Sequence, residues 1–204
     1  MARYKKSEEK RAQLLSAAFR ALSAEGYDAV TLQTIADHAG VSKGVVHYYF
    51  DNKEAVLSAL LEWLTGRISA KEEAAVRAQS TAEGKLRAYI DSAFPGPEQN
   101  RAFYRVYLDF LARASRNPVY REINQRFYDG CAGISAEVLM LGQREGLFKP
   151  ELTSEAAAPV IRAVIDGCLL QWLMSDNDEL HAFYKESCYS AVLNVLSKST
   201  ARGD

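Results

Sequence analysis

The sequence predicts an all-α chain: an N-terminal three-helix unit built around a helix-turn-helix, then a larger helical domain. Two observations carry that reading. Apolar residues recur at three- and four-residue spacing from near the start to near the end. Only 5 prolines and 12 glycines occur in 204 residues, which leaves long stretches free to stay helical. A composition of 48% hydrophobic and 25% charged residues is that of a globular protein and too apolar for disorder.

Leu15, Ala18, Phe19 and Leu22 share one face of a helix running from about Ser7 to Glu25, which Gly26 stops. Leu32, Ile35, Ala36 and Ala39 repeat the spacing on a short second helix, capped by Thr31 and ended by Gly40. Ser42 caps a third, with Val46, Tyr49 and Phe50 turned inward. A fourth begins near Asn52–Lys53 and runs through Trp63 and Ile68 to about Gln79. It carries two apolar stripes, Val56-Leu60-Trp63 and Leu57-Leu61-Leu64-Ile68, so both sides need covering and the helix joins two units. The expected division is 1–53 and 54–204. Further helices are expected at about 81–94, 98–115, 118–145, 153–175 and 178–198, separated by Pro95-Gly96-Pro97, Asn117-Pro118, Gly146 to Pro150 and Ser175 to Asp178.

Lys and Arg number 25 against 26 Asp and Glu, a net charge of -1, which excludes a wholly basic coat protein. Residues 1–53 nevertheless hold a small basic surplus and the remainder an acidic one, so a polyanion would meet the N-terminal end. No apolar run approaches the ~18 residues of a membrane span, and MARYKKSEEKR lacks an apolar signal core. Cys131, Cys168 and Cys188 are far apart and without CxxC spacing, which implies a reducing cytoplasm and no disulfide framework or zinc knuckle. His38, His47 and His181 form no HExxH, and neither a GxSxG elbow nor a Gly-rich phosphate loop is present, so no catalysis, metal or cofactor is expected.

Residues 32–50 read as helix, tight turn, helix, with Ala39-Gly40-Val41-Ser42 as the turn and Val41 plugging the angle. On the second helix Gly44, Val45, His47 and Tyr48 point away from the inward face, preceded by Lys43. Small, aromatic and imidazole groups suit close approach to a nucleic-acid groove. Gly44 lets the helix sit near phosphates, His47 and Tyr48 can donate hydrogen bonds, the helix start offers free N–H groups, and Lys53 could clamp a neighbouring phosphate. The alternative is a plain amphipathic helix, since the geometry is common.

The stretch from Thr31-Leu32-Gln33-Thr34-Ile35-Ala36 through Gly40-Val41-Ser42-Lys43-Gly44-Val45-Val46-His47-Tyr48-Tyr49-Phe50 to Lys53-Glu54 resembles the signature of the tetracycline-repressor (TetR) family, strongly over roughly residues 7–60. One departure is His47, where the family commonly has Tyr. The resemblance implies that Thr31 and Gln33 meet phosphate or a base edge, that Ser42, Lys43, Gly44 and Val45 enter the major groove, and that His47, Tyr48 and Lys53 hold phosphates. Arg3, Lys5 and Lys6 would trail into the minor groove or form a solvated basic tail. It further implies a homodimer on double-stranded DNA with a palindromic operator, half-sites about 34–36 Å apart or a near multiple, released by a small-molecule effector.

The segment Val160 to Leu173 is apolar around nearly its whole circumference, and Gly167 would let a partner helix approach. Val160, Val164, Gly167 and Gln171, with Tyr184, Cys188 and Ala191 of the last helix, are the expected dimer interface; the alternative is plain monomer core. Trp63, Phe103, Tyr107, Phe110, Tyr128 and Trp172 are candidates to line an effector pocket, although aromatics at helical spacing are commonly core. Asp109 and Asp166 could face a cationic ligand, yet on helical wheels both turn from the apolar face and read as solvated charges. Two rivals remain open: an enzyme using the aromatic cavity, for which no convergent acid–base residues are found, and a module binding a partner helix through residues 31–50.

Overall fold

The computed structural model describes residues 2–198, with side chains from Lys6 onward. Among the described residues the chain forms α1 (Ala2–Glu25), α2 (Leu32–Ala39), α3 (Lys43–Tyr49), α4 (Lys53–Arg77), α5 (Ala82–Ala93), α6 (Pro97–Ala114), α7 (Pro118–Arg144), α8 (Ser154–Ser175) and α9 (Leu180–Leu196). There is no strand among them, only an isolated bridge between Phe148 and Ser197. Thr81 and Thr153 cap α5 and α8 through their hydroxyls, which accept from the amides of Gly84 and Ala156. Gly26, Gly40 and Gly146 take positive φ at helix ends, where a side chain would be strained.

The chain divides into two compact units, Met1–Gly66 with Ala102–Asn124, and Arg67–Arg101 with Gln125–Asp204. In the first, α1 packs on α2 and α2 on α3. Leu15, Ala18, Leu22, Val30, Ile35, Ala36, Val46 and Phe50 form its buried centre. A second cluster lies where α6 and α7 meet the loop after α1. Phe110 sets its edge against Tyr27 and Tyr120, with centroids 5.8 and 5.1 Å away. The Tyr120 hydroxyl donates to Glu54 at 2.9 Å and lies 2.7 Å from that of Tyr27, which is left to donate to it. Arg113 lies 3.8 Å from the centre of the Tyr27 ring and donates to Asp28 at 2.7 Å.

In the second unit α9 packs against α8 and α5. Ile161, Ile165, Leu169 and Trp172 of α8 and Cys188, Val192 and Leu196 of α9 are buried. His181, also buried, meets Trp172 edge-on at 4.7 Å and shares a 2.8 Å hydrogen bond with Asn100. An 18-residue window of α8 averages a hydropathy of 1.3, so by length and composition alone this helix could cross a bilayer, as a core helix of a globular fold also could. Arg162 and Asp166 interrupt it, which hides the stretch from a search for unbroken runs.

The turn after α7 brings Phe148 back onto Gly142. The ring is fully buried, and a β-carbon at 142 would fall onto it. Gly142→Ala is expected to lower unfolding free energy by about 1–3 kcal/mol, as overpacking of a filled site does. Urea denaturation checks this, and an unchanged midpoint contradicts it.

Candidate nucleic-acid interface

The helix-turn-helix is built by local chemistry. The Thr31 hydroxyl accepts from the Thr34 amide at 3.2 Å, and the Thr34 hydroxyl accepts from the Thr31 amide at 2.9 Å, closing a reciprocal cap on α2. At the other end Gly40 sits at φ 64°, and the amides of Gly40 and Val41 return to carbonyls of α2. Arg20 of α1 donates to the His38 carbonyl at 2.8 Å, fixing the end of α2 against α1.

Burial of Val46 and Phe50 then decides which side of α3 meets solvent. Ser42, Lys43, Gly44, His47 and Tyr48 are exposed, Val45 is half-buried, and Tyr48 is 79% exposed, leaning edge-on to Tyr49. The Ser42 hydroxyl makes no capping bond. Thr31 is exposed at the start of α2; Gln33, also exposed, donates to Asp37 at 2.8 Å. Lys53 differs from the rest of the set. Its ammonium donates to the carbonyls of Tyr27 at 2.9 Å and Asp28 at 3.4 Å, so it anchors the start of α4 to the preceding loop.

An open groove of about 490 Å³ runs between α1 and α3, lined by Lys6, Ser7, Glu9, Lys10, Gln13, Tyr48 and Tyr49. Lys10 was not singled out from the sequence; its spacing from Lys6 on α1 is the available signal. Tyr49, expected inward, reaches this groove at half burial. Arg3 and Lys5 lie outside the described side chains.

Of the six effector candidates, Trp63 is half-buried on α4, and Phe103 stacks on Tyr107 at 4.8 Å in the first unit. Tyr107 donates to Asn124 at 2.7 Å, and Phe110 belongs to the tyrosine cluster. Trp172 is fully buried in the second unit, and its indole N–H donates to the Asn177 carbonyl. Tyr128 lines an open groove of about 370 Å³ between α7 and α8, together with Arg162, Asp166, Gln125 and Asp129. Asp166 is therefore not a solvated charge: it accepts from Arg162 one helical turn earlier. Asp109 likewise pairs with Arg113 at 3.1 Å. Behind Arg162, burial pushes the Glu72 carboxyl up to about 7 and the Cys131 thiol up to about 11, while the neighbouring guanidinium opposes both shifts.

Among the interface candidates, Val160, Gln171 and Ala191 are exposed and Val164, Gly167 and Tyr184 half-exposed. Cys188 is fully buried beneath this surface and does not reach it, because its side of α9 faces the interior. Met174 at 72% and Phe183 at 62% exposure extend the apolar face.

These features define a helix-turn-helix protein whose second helix projects a polar and aromatic face. Residues 14–60 match the model for bacterial regulatory proteins of the tetR family, and residues 82–188 match the C-terminal domain of BetI-type transcriptional repressors. The chain belongs to the TetR family of DNA-binding transcriptional regulators, with a C-terminal domain of the BetI repressor type. It is 28% identical over 174 residues to the fatty acid metabolism regulator protein of Bacillus subtilis, covering 84% of this chain and 88% of that one. It is 24% identical over 199 residues to the regulator BetI of Pectobacterium carotovorum, covering 95% of each. A transcriptional regulator from Saccharomonospora viridis, solved in complex with choline, shares the fold at a TM-score of 0.83 and 22% identity, covering 94% of this chain and 99% of that one.

The double role of Thr31 as cap and exposed residue gives a separable stability effect. Thr31→Ala is expected to cost about 1 kcal/mol of folding free energy, the usual loss of an N-cap. Chemical denaturation reads it, and a loss below a few tenths would show that the cap is idle.

Proposed function

We propose that this chain is a homodimeric repressor that grips a palindromic operator through α3 and is released by a small organic effector bound in its second unit. The observation that carries the reading is the division of α3: Val46 is buried while Lys43, Gly44, His47 and Tyr48 stand clear of the fold. Gly44 admits a close phosphate, Lys43 supplies charge, and Tyr48 and His47 supply donors. Ser42 and Val45 complete the face toward base edges, with Thr31 and Gln33 of α2 beside it. Lys53 acts by holding the loop that orients these helices. Lys6 and Lys10 of α1, with Glu9 between them, line the groove beside this face.

The exposed apolar residues of α8 and α9 support a twofold contact, with Val160, Val164, Gly167, Gln171, Tyr184 and Ala191 joined by Met174 and Phe183. Large apolar side chains left exposed on neighbouring helices are suited to a protein contact. Release is then a population shift: the effector favours a conformer whose two heads no longer match adjacent grooves. A choline-bound neighbour and a relative named for fatty acid metabolism support an organic effector. The chain would act in the cytoplasm, on duplex DNA and without a cofactor.

Duplex fragments selected from genomic DNA supply the probe. Gly44→Glu is expected to abolish the mobility shift while leaving the thermal melt intact, since a β-carbon there meets only Ser42 Oγ at 3.8 Å. Lys43→Ala with Tyr48→Ala should weaken binding without breaking the dimer. The wild-type affinity should fall with salt by roughly 0.9 log unit per log salt for each phosphate neutralised. A salt-independent affinity, or full binding by Gly44→Glu, contradicts the reading.

A further inference from the structure

We propose that the second unit carries a cation site which Arg162 occupies itself, and that the effector is an organic cation with N–H donors, an amine or amidine on an apolar body, that displaces it. The inference rests on the effector reading above and assigns the ligand class. The Arg162 guanidinium lies 5.2 Å from the centre of the Phe127 ring and 5.9 Å from that of Tyr128. Its Nε donates to Asp166 at 3.0 Å. Its Nη1 lies 3.8 Å from a Glu72 oxygen and 3.6 Å from the Cys131 sulfur. Two carboxylates and two ring faces thus surround one positive group, at the wall of the 370 Å³ groove between α7 and α8. That volume is within the range of small-molecule sites.

The inner end of the site is under-satisfied. Glu72 is buried, with a thiol at 3.9 Å as its hydrogen-bond contact and Arg162 at ion-pair distance. The fully buried Tyr89 hydroxyl faces the same cluster, with the Cys131 thiol beside it. Arg162 meets Glu72 at ion-pair distance without a hydrogen bond, and a ligand that takes its place can bring an N–H group to that carboxylate. An anion would confront Glu72, Asp166 and Asp129 against one guanidinium. A quaternary ammonium could lie on the rings but would bring Glu72 no N–H donor. The chemistry therefore selects a protonated amine or amidine. Arg162 sits on α8, so its displacement acts on the helix that presents Val160, Val164 and Gly167.

The test is calorimetric titration of the full chain with benzamidine, benzyltrimethylammonium and benzoate, repeated on Glu72→Gln and Arg162→Met, with melts confirming folding. Benzamidine should bind tightest. Glu72→Gln should weaken it by roughly tenfold, and Arg162→Met, lacking the internal competitor, should tighten it by a similar factor. Benzamidine keeps its charge from about pH 5 to 9, so its pH dependence reports the protein. Glu72 faces Arg162 and Asp166 from α8, Cys131 from α7, Tyr89 from α5 and Lys71 on its own helix. Burial holds its carboxyl protonated below about 7, so affinity should rise as pH climbs through that value and lose this dependence in Glu72→Gln. Benzoate or the quaternary ion binding as tightly, an unchanged Glu72→Gln affinity, or no saturable benzamidine binding at millimolar concentration overturns the inference. Operator release by a ligand of another class would overturn it while leaving the regulator reading intact, and failure to bind duplex at all would strike that reading alone.

Discussion

One constraint organises the N-terminal unit: α3 has only one side that the fold can bury. Val46 within the helix and Phe50 at its end take that side, with Ile35 and Ala36 of α2 buried in the same unit. The turn at Gly40 leaves little freedom in how α3 departs, because its amide and that of Val41 are both returned to α2. What α3 shows outward follows from that burial. Arg20 on the His38 carbonyl and Lys53 on the Tyr27 and Asp28 carbonyls brace the two ends of the same segment. Both side chains donate to backbone carbonyls, so part of the basic surplus is structural.

The second unit is governed by a different problem, the cost of charge inside an apolar helix. Arg162 sits on the most apolar helix of the chain and is held by Asp166 one turn later. Glu72 meets the same guanidinium only at 3.8 Å, and burial outweighs that attraction to raise its affinity for a proton. A buried carboxyl paired only with a thiol and a guanidinium at ion-pair distance is costly to stability. The two units thus divide the labour: an exposed polar face on one, buried polar chemistry on the other.

Much of this was legible in the sequence because it is local. Thr31, Gly26 and Gly40 announce their helix boundaries by residue type, and the outward set of α3 follows from a 3.6-residue period. What was not legible depends on partners distant in the chain. Lys53 looks like a free cation until the loop carbonyls of Tyr27 and Asp28 are brought beneath it. Glu72 lies in the charged run Lys71-Glu72-Glu73 and reads as solvent-facing, and only packing reveals which of the three turns inward. Asp166 had a local clue, an Arg four residues earlier, that a wheel drawn for apolar faces ignores. Cys188, open in the sequence to interface or core, is buried, because which side of an apolar helix faces inward is decided only when α8 and α5 cover it.

Hydroxyl-radical footprinting by mass spectrometry, with and without a selected operator duplex, addresses the central claim most directly. Tyr48 stands 79% exposed in the free chain and should oxidise readily. On the duplex, its oxidation and that of His47 should fall several-fold while Phe183 and Met174 change little. Unaltered Tyr48 and His47 reactivity on a duplex that is demonstrably bound would mean that another surface meets the DNA.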